Sequence, residues 1–170
     1  MRSMHNLHIE YSDDFSSLCA LHKENMNGKG PNKPEKFFDL VKKYISPEKY
    51  ELSYAVLNGE RIGGLLIFYF KETVEYFTPA FNRDFQAEQA TSFLIFHAMK
   101  NAIRKGYKFW NFGGTRLPGQ EGVAKFKKSW GATEFPYYYF TTIHRDIDHL
   151  KRLDPKTITE NYPWFYVIPF

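Results

Sequence analysis

The chain has 170 residues, 43% of them hydrophobic and 19% aromatic, which suffices for one packed core and excludes a disordered chain. Its 23 basic and 19 acidic residues leave a net charge of +4 and interleave along the sequence, so an anionic ligand is tolerated but no nucleic-acid-binding face is demanded. A lone cysteine, Cys19, excludes an intramolecular disulfide and argues against a thiolate metal centre.

The opening stretch MRSMHNLHIEYSDD has no apolar run fit for a signal peptide. No segment approaches the roughly 20 apolar residues of a membrane span. The expectation is a cytoplasmic protein forming one domain over residues 1–170, with no integral membrane segment.

Behind Asp13 and Asp14, FSSLCALHKENM carries Phe15, Leu18, Leu21 and Met26 at helical spacing. After the turn-rich NGKGPNKP, PEKFFDLVKKYI begins with a helix-starting proline and sets Phe37, Leu40, Val41 and Tyr44 on one expected face. The pattern then changes. YELSYAVL and RIGGLLIFYF flank Asn58-Gly59, a hairpin signature, and TVEYFTPAF supplies a third antiparallel strand.

Residues 86–105 predict a long helix closed by Gly106, with Phe93, Leu94, Phe96, Ala98 and Ile103 available for burial. YKFWNF then reads as a strand parallel to TVEYFTPAF by the usual crossover rule. A short helix in GQEGVAKFKKSW, a long final strand EFPYYYFTTIH, a short helix in DIDHLKRLD and a hydrophobic tail ENYPWFYVIPF complete the reading. The tail is expected to dock on the sheet.

The order of these elements resembles the GCN5-related N-acyltransferase (GNAT) fold, and residues as well as order carry the likeness. Gly106, FWNFGGT, GVAKFK and SWG stand in the order and spacing seen in the Fem-type peptidoglycan-bridge aminoacyltransferases and the related cellulose-biosynthesis-like proteins. The motifs span residues 53–143. The resemblance implies an α/β (α+β) fold: a mixed, mainly antiparallel central sheet with helices on both faces. Two departures stand out. Asn111 occupies a position that is often aspartate in the family, and Fem-type proteins resemble two such domains in tandem, which leaves open a stand-alone domain or one half of a homodimer.

The resemblance implies an enzyme that moves an acyl or aminoacyl group onto an amine. The backbone from Phe77 through Thr78 to Pro79 would face the donor where two parallel strands splay apart. Lys127 is the first choice for a catalytic group, its ammonium stabilising developing negative charge, although its place between Lys125 and Lys128 also suits a solvated helix surface. Phe126 and Trp110 would wall the channel, and Gly113 and Gly114 would let the chain approach the substrate closely. Glu75 and Tyr76 on the third strand, Glu121 before the short helix and Glu134 at the last strand are the candidate proton acceptors, none distinguished by sequence.

Acyl-CoA users of this fold carry a glycine-rich loop before the long helix, where amides and the helix dipole hold the pyrophosphate. The equivalent FNRDFQAEQATS contains no glycine. Arg83 and Gln86, with Thr91, are what remains to contact a phosphate there. No tightly bound cofactor and no metal are expected, and the acyl donor is aminoacyl-tRNA or acyl-CoA. The acceptor would be a small molecule or peptidoglycan precursor, with tRNA as an optional partner. The competing reading is a non-catalytic GNAT-like binding module that uses its aromatic C-terminal segments as a contact surface.

Overall fold

The computed structural model describes residues 6–27, 32–115, 119–138, 140, 142, 144, 146–154 and 156–157. Five strands form one sheet in chain order: β1 (Leu7–Tyr11), β2 (Tyr50–Leu57), β3 (Glu60–Phe70), β4 (Thr73–Phe81) and β5 (Phe109–Asn111). The first four pair antiparallel and β5 joins β4 in parallel, as the hairpin and crossover signals predict. The β2–β3 hairpin turns on Asn58 (φ 51°) and Gly59 (φ 86°), the two left-handed positions of a tight turn that asparagine and glycine accept most readily.

β1 is an addition to the expected elements. Only Leu7 and Ile9 of its five residues pack on the core, a pattern easily taken for part of a polar leader. What makes it a strand is its register against β2, with Ile9 opposite Ala55. Such pairing is a tertiary property and leaves little local trace.

Helices cover both faces, so the sheet separates two apolar layers. One layer joins Phe15, Leu18 and Leu21 of α1 (Phe15–Met26) and Phe38 and Val41 of α2 (Glu35–Tyr44) to Leu52, Tyr54, Val56, Leu66 and Ala80. The other joins α3 (Ala90–Arg104) to Ala55, Ile62, Leu65, Ile67, Tyr69 and Val74. α1 starts at Asp14, whose carboxylate accepts the amides of Ser16 (3.1 Å) and Ser17 (3.3 Å).

The structure corrects three sequence expectations about the helices and the last strand. α2 buries Phe38 and Val41 while Leu40 and Tyr44 are exposed. Its apolar residues span more than one face, so spacing alone did not set the rotation. The long helix expected over 86–105 is split. Asn82 caps a 3-10 turn over Arg83–Glu88, Gln89 adopts a left-handed conformation (φ 55°, ψ 36°), and α3 starts at Ala90. Phe96 and Ile103 are accordingly exposed, and Ile95 and Ala102 are buried instead. The C-terminus is as expected: Gly106 (φ 84°) donates to Ile103 O and Tyr107 to Ala102 O, both at 3.0 Å.

Downstream, α4 (Glu121–Ser129) and α5 (Ile147–Lys151) stand where short helices were expected. The final strand is not formed by the described residues of 134–144, where Phe135, Tyr137, Tyr138 and Phe140 are all exposed. Pro136 cannot donate to a ladder, and three-residue β5 offers little edge to pair with. The tail at 160–170 lies outside the described residues. Among the described residues, no helix is long and apolar enough to cross a membrane.

Candidate active site

β4 and β5 pair over Thr73↔Phe109, Val74↔Trp110 and Glu75↔Asn111, and there the pairing ends. Among the described residues, the outer edge of β4 has no strand partner from Tyr76 onward. On its other side Leu66 opposes Thr78 and Ile67 opposes Tyr76, so Phe77 is an extra residue with no partner on β3. Such a bulge leaves a peptide group outside the ladder and re-aims the side chains. Tyr76 stays on the α3 face, opposite Ile67, and Thr78 falls on the α1/α2 face, opposite Leu66. Phe77 joins that second face, with its ring 5.7 Å from Phe37 and 4.9 Å from Phe68. Thr78 is fully buried.

After β5 the chain turns sharply away from β4. The Asn111 side-chain oxygen accepts the Gly113 amide at 2.8 Å, and Gly113 sits at φ 72°, a conformation that glycine adopts without steric penalty. A side chain at Gly114 would collide with the Tyr137 hydroxyl. The Lys127 ammonium donates to the carbonyl oxygens of Gly113 and Gly114, both at 2.8 Å. Partial burial pulls the pKa of this amine down. α4 holds it in place by packing Phe126 and Trp130 on the α3-side core, their ring centroids 6.3 Å apart.

Tyr76, Trp110 and Phe112 form the aromatic wall beneath this turn, with centroids 5.3–6.3 Å apart. Burial pushes the Tyr76 phenol well above its ordinary range, so the hydroxyl stays protonated. The Trp110 indole N–H is buried and has no partner among the described residues. Glu75 is half-buried on the last rung that joins β4 to β5. The other two carboxylates are engaged: Glu121 accepts the Gly119 amide at 2.9 Å, and Glu134 pairs with Lys128 at 3.0 Å.

Three backbone donors of the loop into α3 are taken, while the Thr91 hydroxyl is buried with no partner among the described residues. The amides of Asp84, Phe85 and Gln89 are bonded to the Asn82 side chain, Asn82 O and Gln86 O. The Arg83 guanidinium reaches Asn25 O (2.9 Å) and Asn27 O (3.2 Å), tying the loop to the end of α1. Gln86 is exposed, and its carbonyl also accepts the Gln89 side-chain amide. Sequence reasoning missed two residues on the opposite side of β4, His22 and Lys33. A histidine within an amphipathic helix and a lysine in a polar turn carry no local signal.

The structure is similar to solved acetyltransferases of low sequence identity. An aminoglycoside acetyltransferase, meta-AAC0020, from an uncultured soil metagenomic sample in complex with sisomicin aligns at TM-score 0.60 and 17% identity, over 81% of this chain and 97% of that one. The ribosomal-protein-S18-alanine N-acetyltransferase from Escherichia coli aligns at 0.59 and 20%, over 80% and 85% of the two chains. AAC(6')-Iy in complex with the bisubstrate analog CoA-S-monomethyl-acetylneamine aligns at 0.59 and 14%, over 82% and 99%. These likenesses establish the GNAT fold. The FemAB family model matches residues 13–137, and the chain belongs to the FemAB family, a family of transferases. No curated protein matches the chain by sequence.

Proposed function

We propose that the chain is an N-acyltransferase that moves an acyl group, in the first instance an aminoacyl group, from an ester donor to an amine of a cell-wall precursor, amino sugar or peptide. The parting of β4 and β5 after Glu75↔Asn111, beside the unpaired Phe77 peptide, carries this reading. The amine nitrogen attacks the donor carbonyl, the tetrahedral oxyanion collapses to the amide, and the donor oxygen leaves with the proton the amine gives up. Backbone groups around Phe77 and Thr78 line the donor carbonyl. Glu75 is the carboxylate suited to take the proton. Tyr76, kept protonated by burial, donates a hydrogen bond instead. Trp110 and Phe126 wall the channel. The Gly113-Gly114 turn, clamped by Lys127, forms its rim.

The loop before α3 favours aminoacyl-tRNA over acyl-CoA as donor, because three of its amides are already bonded and Arg83 is tied to α1. Arg83 and Gln86 would serve a phosphate only by exchanging those partners. The second reading, acyl-CoA dependence, is supported by the CoA-derived ligand in the similar AAC(6')-Iy structure. A thermal-shift and transfer panel with acetyl-CoA, aminoacyl-tRNA and muramyl peptides tests both readings, since a ligand of the native state raises its apparent stability. Stabilisation and transfer with aminoacyl-tRNA, and neither with acetyl-CoA, is the expected outcome. Micromolar acetyl-CoA binding would overturn the donor assignment. No transfer from either donor would overturn the enzyme reading in favour of a binding module.

A further inference from the structure

Three polar groups on the α1/α2 side of the β4 bulge lack the partners their burial calls for. His22 on α1 is only 5% exposed, stands edge-on to Phe38 at 6.3 Å, and neither ring nitrogen has a hydrogen-bond partner among the described residues. A neutral imidazole carries one donor and one acceptor, and burying them unpaired is destabilising. Thr78 is fully buried, and its hydroxyl also has no partner among the described residues. Lys33, two residues before α2, holds its ammonium 5.1 Å from the Phe77 ring centroid. Burial pulls the Lys33 amine down, and no carboxylate pairs with it among the described residues. Ring contacts link the two: His22 meets Phe38 at 6.3 Å, Phe38 meets Phe37 at 5.3 Å, and Phe37 stacks at 5.7 Å on Phe77, the ring that Lys33 lies over.

We infer that this face, bounded by α1, the start of α2 and the Phe77 bulge, binds an oxyanion of the acceptor, a carboxylate or a phosphate, with Lys33 supplying charge and His22 and Thr78 supplying hydrogen bonds. The inference rests on the acyltransferase reading, since Phe77 belongs both to this face and to the splayed strand of the transfer cleft. An acceptor held here has its anionic group on the α1/α2 side and its amine toward the open edge of β4. Electrostatics set the substrate class: an amino acid, peptide or phosphorylated amino sugar fits, whereas a polycation would bring like charge against Lys33.

The test reads binding rather than turnover, so it stands apart from the acyltransferase reading. The His22 side-chain resonances are followed by NMR through a pH titration with glycylglycine, glycylglycinamide, inorganic phosphate or spermidine. Glycylglycine or phosphate should raise the His22 midpoint, because an adjacent anion favours imidazolium; which of them does so assigns carboxylate or phosphate. Glycylglycinamide and spermidine should leave it unchanged. Lys33→Gln, at a partly exposed position that keeps the fold, should weaken the effective probe about tenfold or more. An unmoved midpoint with both anions, an equal response to glycylglycinamide, or undiminished affinity in Lys33→Gln would overturn the inference. Equal transfer to glycylglycine and its amide would do so while leaving the acyltransferase reading intact.

Discussion

Lys127 donates to the carbonyl oxygen of Gly113 at 2.8 Å, and the same ammonium bonds Gly114 O at the same distance. α4 and the turn after β5 are thereby one unit, with the cation held at the rim of the cleft. Lys127→Ala should lower transfer by one or more orders of magnitude, because a preorganised charge near a developing oxyanion contributes about 2–4 kcal/mol. It should also cost about 1 kcal/mol of stability, read by denaturant unfolding, since the two carbonyls lose their donor. Lys125→Ala and Lys128→Ala are the controls. Lys125 is exposed and Lys128 pairs outward with Glu134, so both should keep most activity. Equal activity of all three variants would remove Lys127 from the reaction.

Asn111 acts through its side-chain oxygen, which accepts the Gly113 amide at 2.8 Å. Aspartate presents the same acceptor, so Asn111→Asp should retain the turn and most of the activity. Asn111→Ala removes the acceptor and should cost about 1 kcal/mol together with a loss of transfer. If the aspartate variant falls as far as the alanine variant in melting temperature and rate, the turn does not depend on that oxygen.

Acid should destabilise the fold through the Asp14 network. Hydrogen bonds from the Ser16 and Ser17 hydroxyls and from Arg61 hold the Asp14 carboxyl well below the usual carboxylate range, and Arg61 similarly depresses Glu10. A depressed folded pKa contributes stability that is fully present above the unfolded value, about 3.9 for aspartate, and is lost as pH falls toward the folded value. Asp14→Ala should cost about 1 kcal/mol at neutral pH through loss of the α1 cap and should flatten the dependence below about pH 4. Denaturation midpoints measured across that range decide it.

The strands that define the cleft were legible because their signals are local. Asn58-Gly59 fixes a hairpin, Gly106 ends a helix, and a helix between two apolar strands fixes a parallel crossover. The Phe77 bulge was not legible, because TVEYFTPAF reads as an unbroken strand and the extra residue shows only in its register with β3. The break at Gln89 had no glycine or proline to announce it. EFPYYYFTTIH has strong strand propensity, yet its described residues find no partner strand. The sequence singled out Lys127, but its present partners are backbone carbonyls, which no side-chain pattern can show.

His22 predicts a second pH effect on stability, at milder acidity. Burial first and the Lys33 charge second lower its pKa to about 4 from the ordinary 6.5. The folded state therefore excludes a proton that the unfolded state binds. That stability is present above pH 6.5 and is lost progressively as pH falls toward 4, on the order of 3 kcal/mol in all. His22→Leu should reduce the slope in this window, leaving the part due to His97, whose pKa burial also lowers, and the carboxylate-driven loss below it. A variant with the parental slope would assign the effect to another group.

Thr78 separates stability from ligand binding. Its hydroxyl is buried without a partner among the described residues, so in the free protein it is a liability. Valine has nearly the same shape and no polar atom, and replacing an unsatisfied group this way is neutral to stabilising. Thr78→Val should therefore gain up to about 1 kcal/mol, a rise of roughly 2–4 °C in melting temperature for a chain of this size. If the hydroxyl donates to a bound oxyanion, the same substitution should weaken glycylglycine or phosphate binding about tenfold, because the anion loses a donor. Gain and loss together in one isosteric change are hard to obtain from a residue that only packs. A destabilised Thr78→Val would show that the hydroxyl already has a partner in the free protein, and a stabilised variant with undiminished binding would take Thr78 out of the oxyanion site.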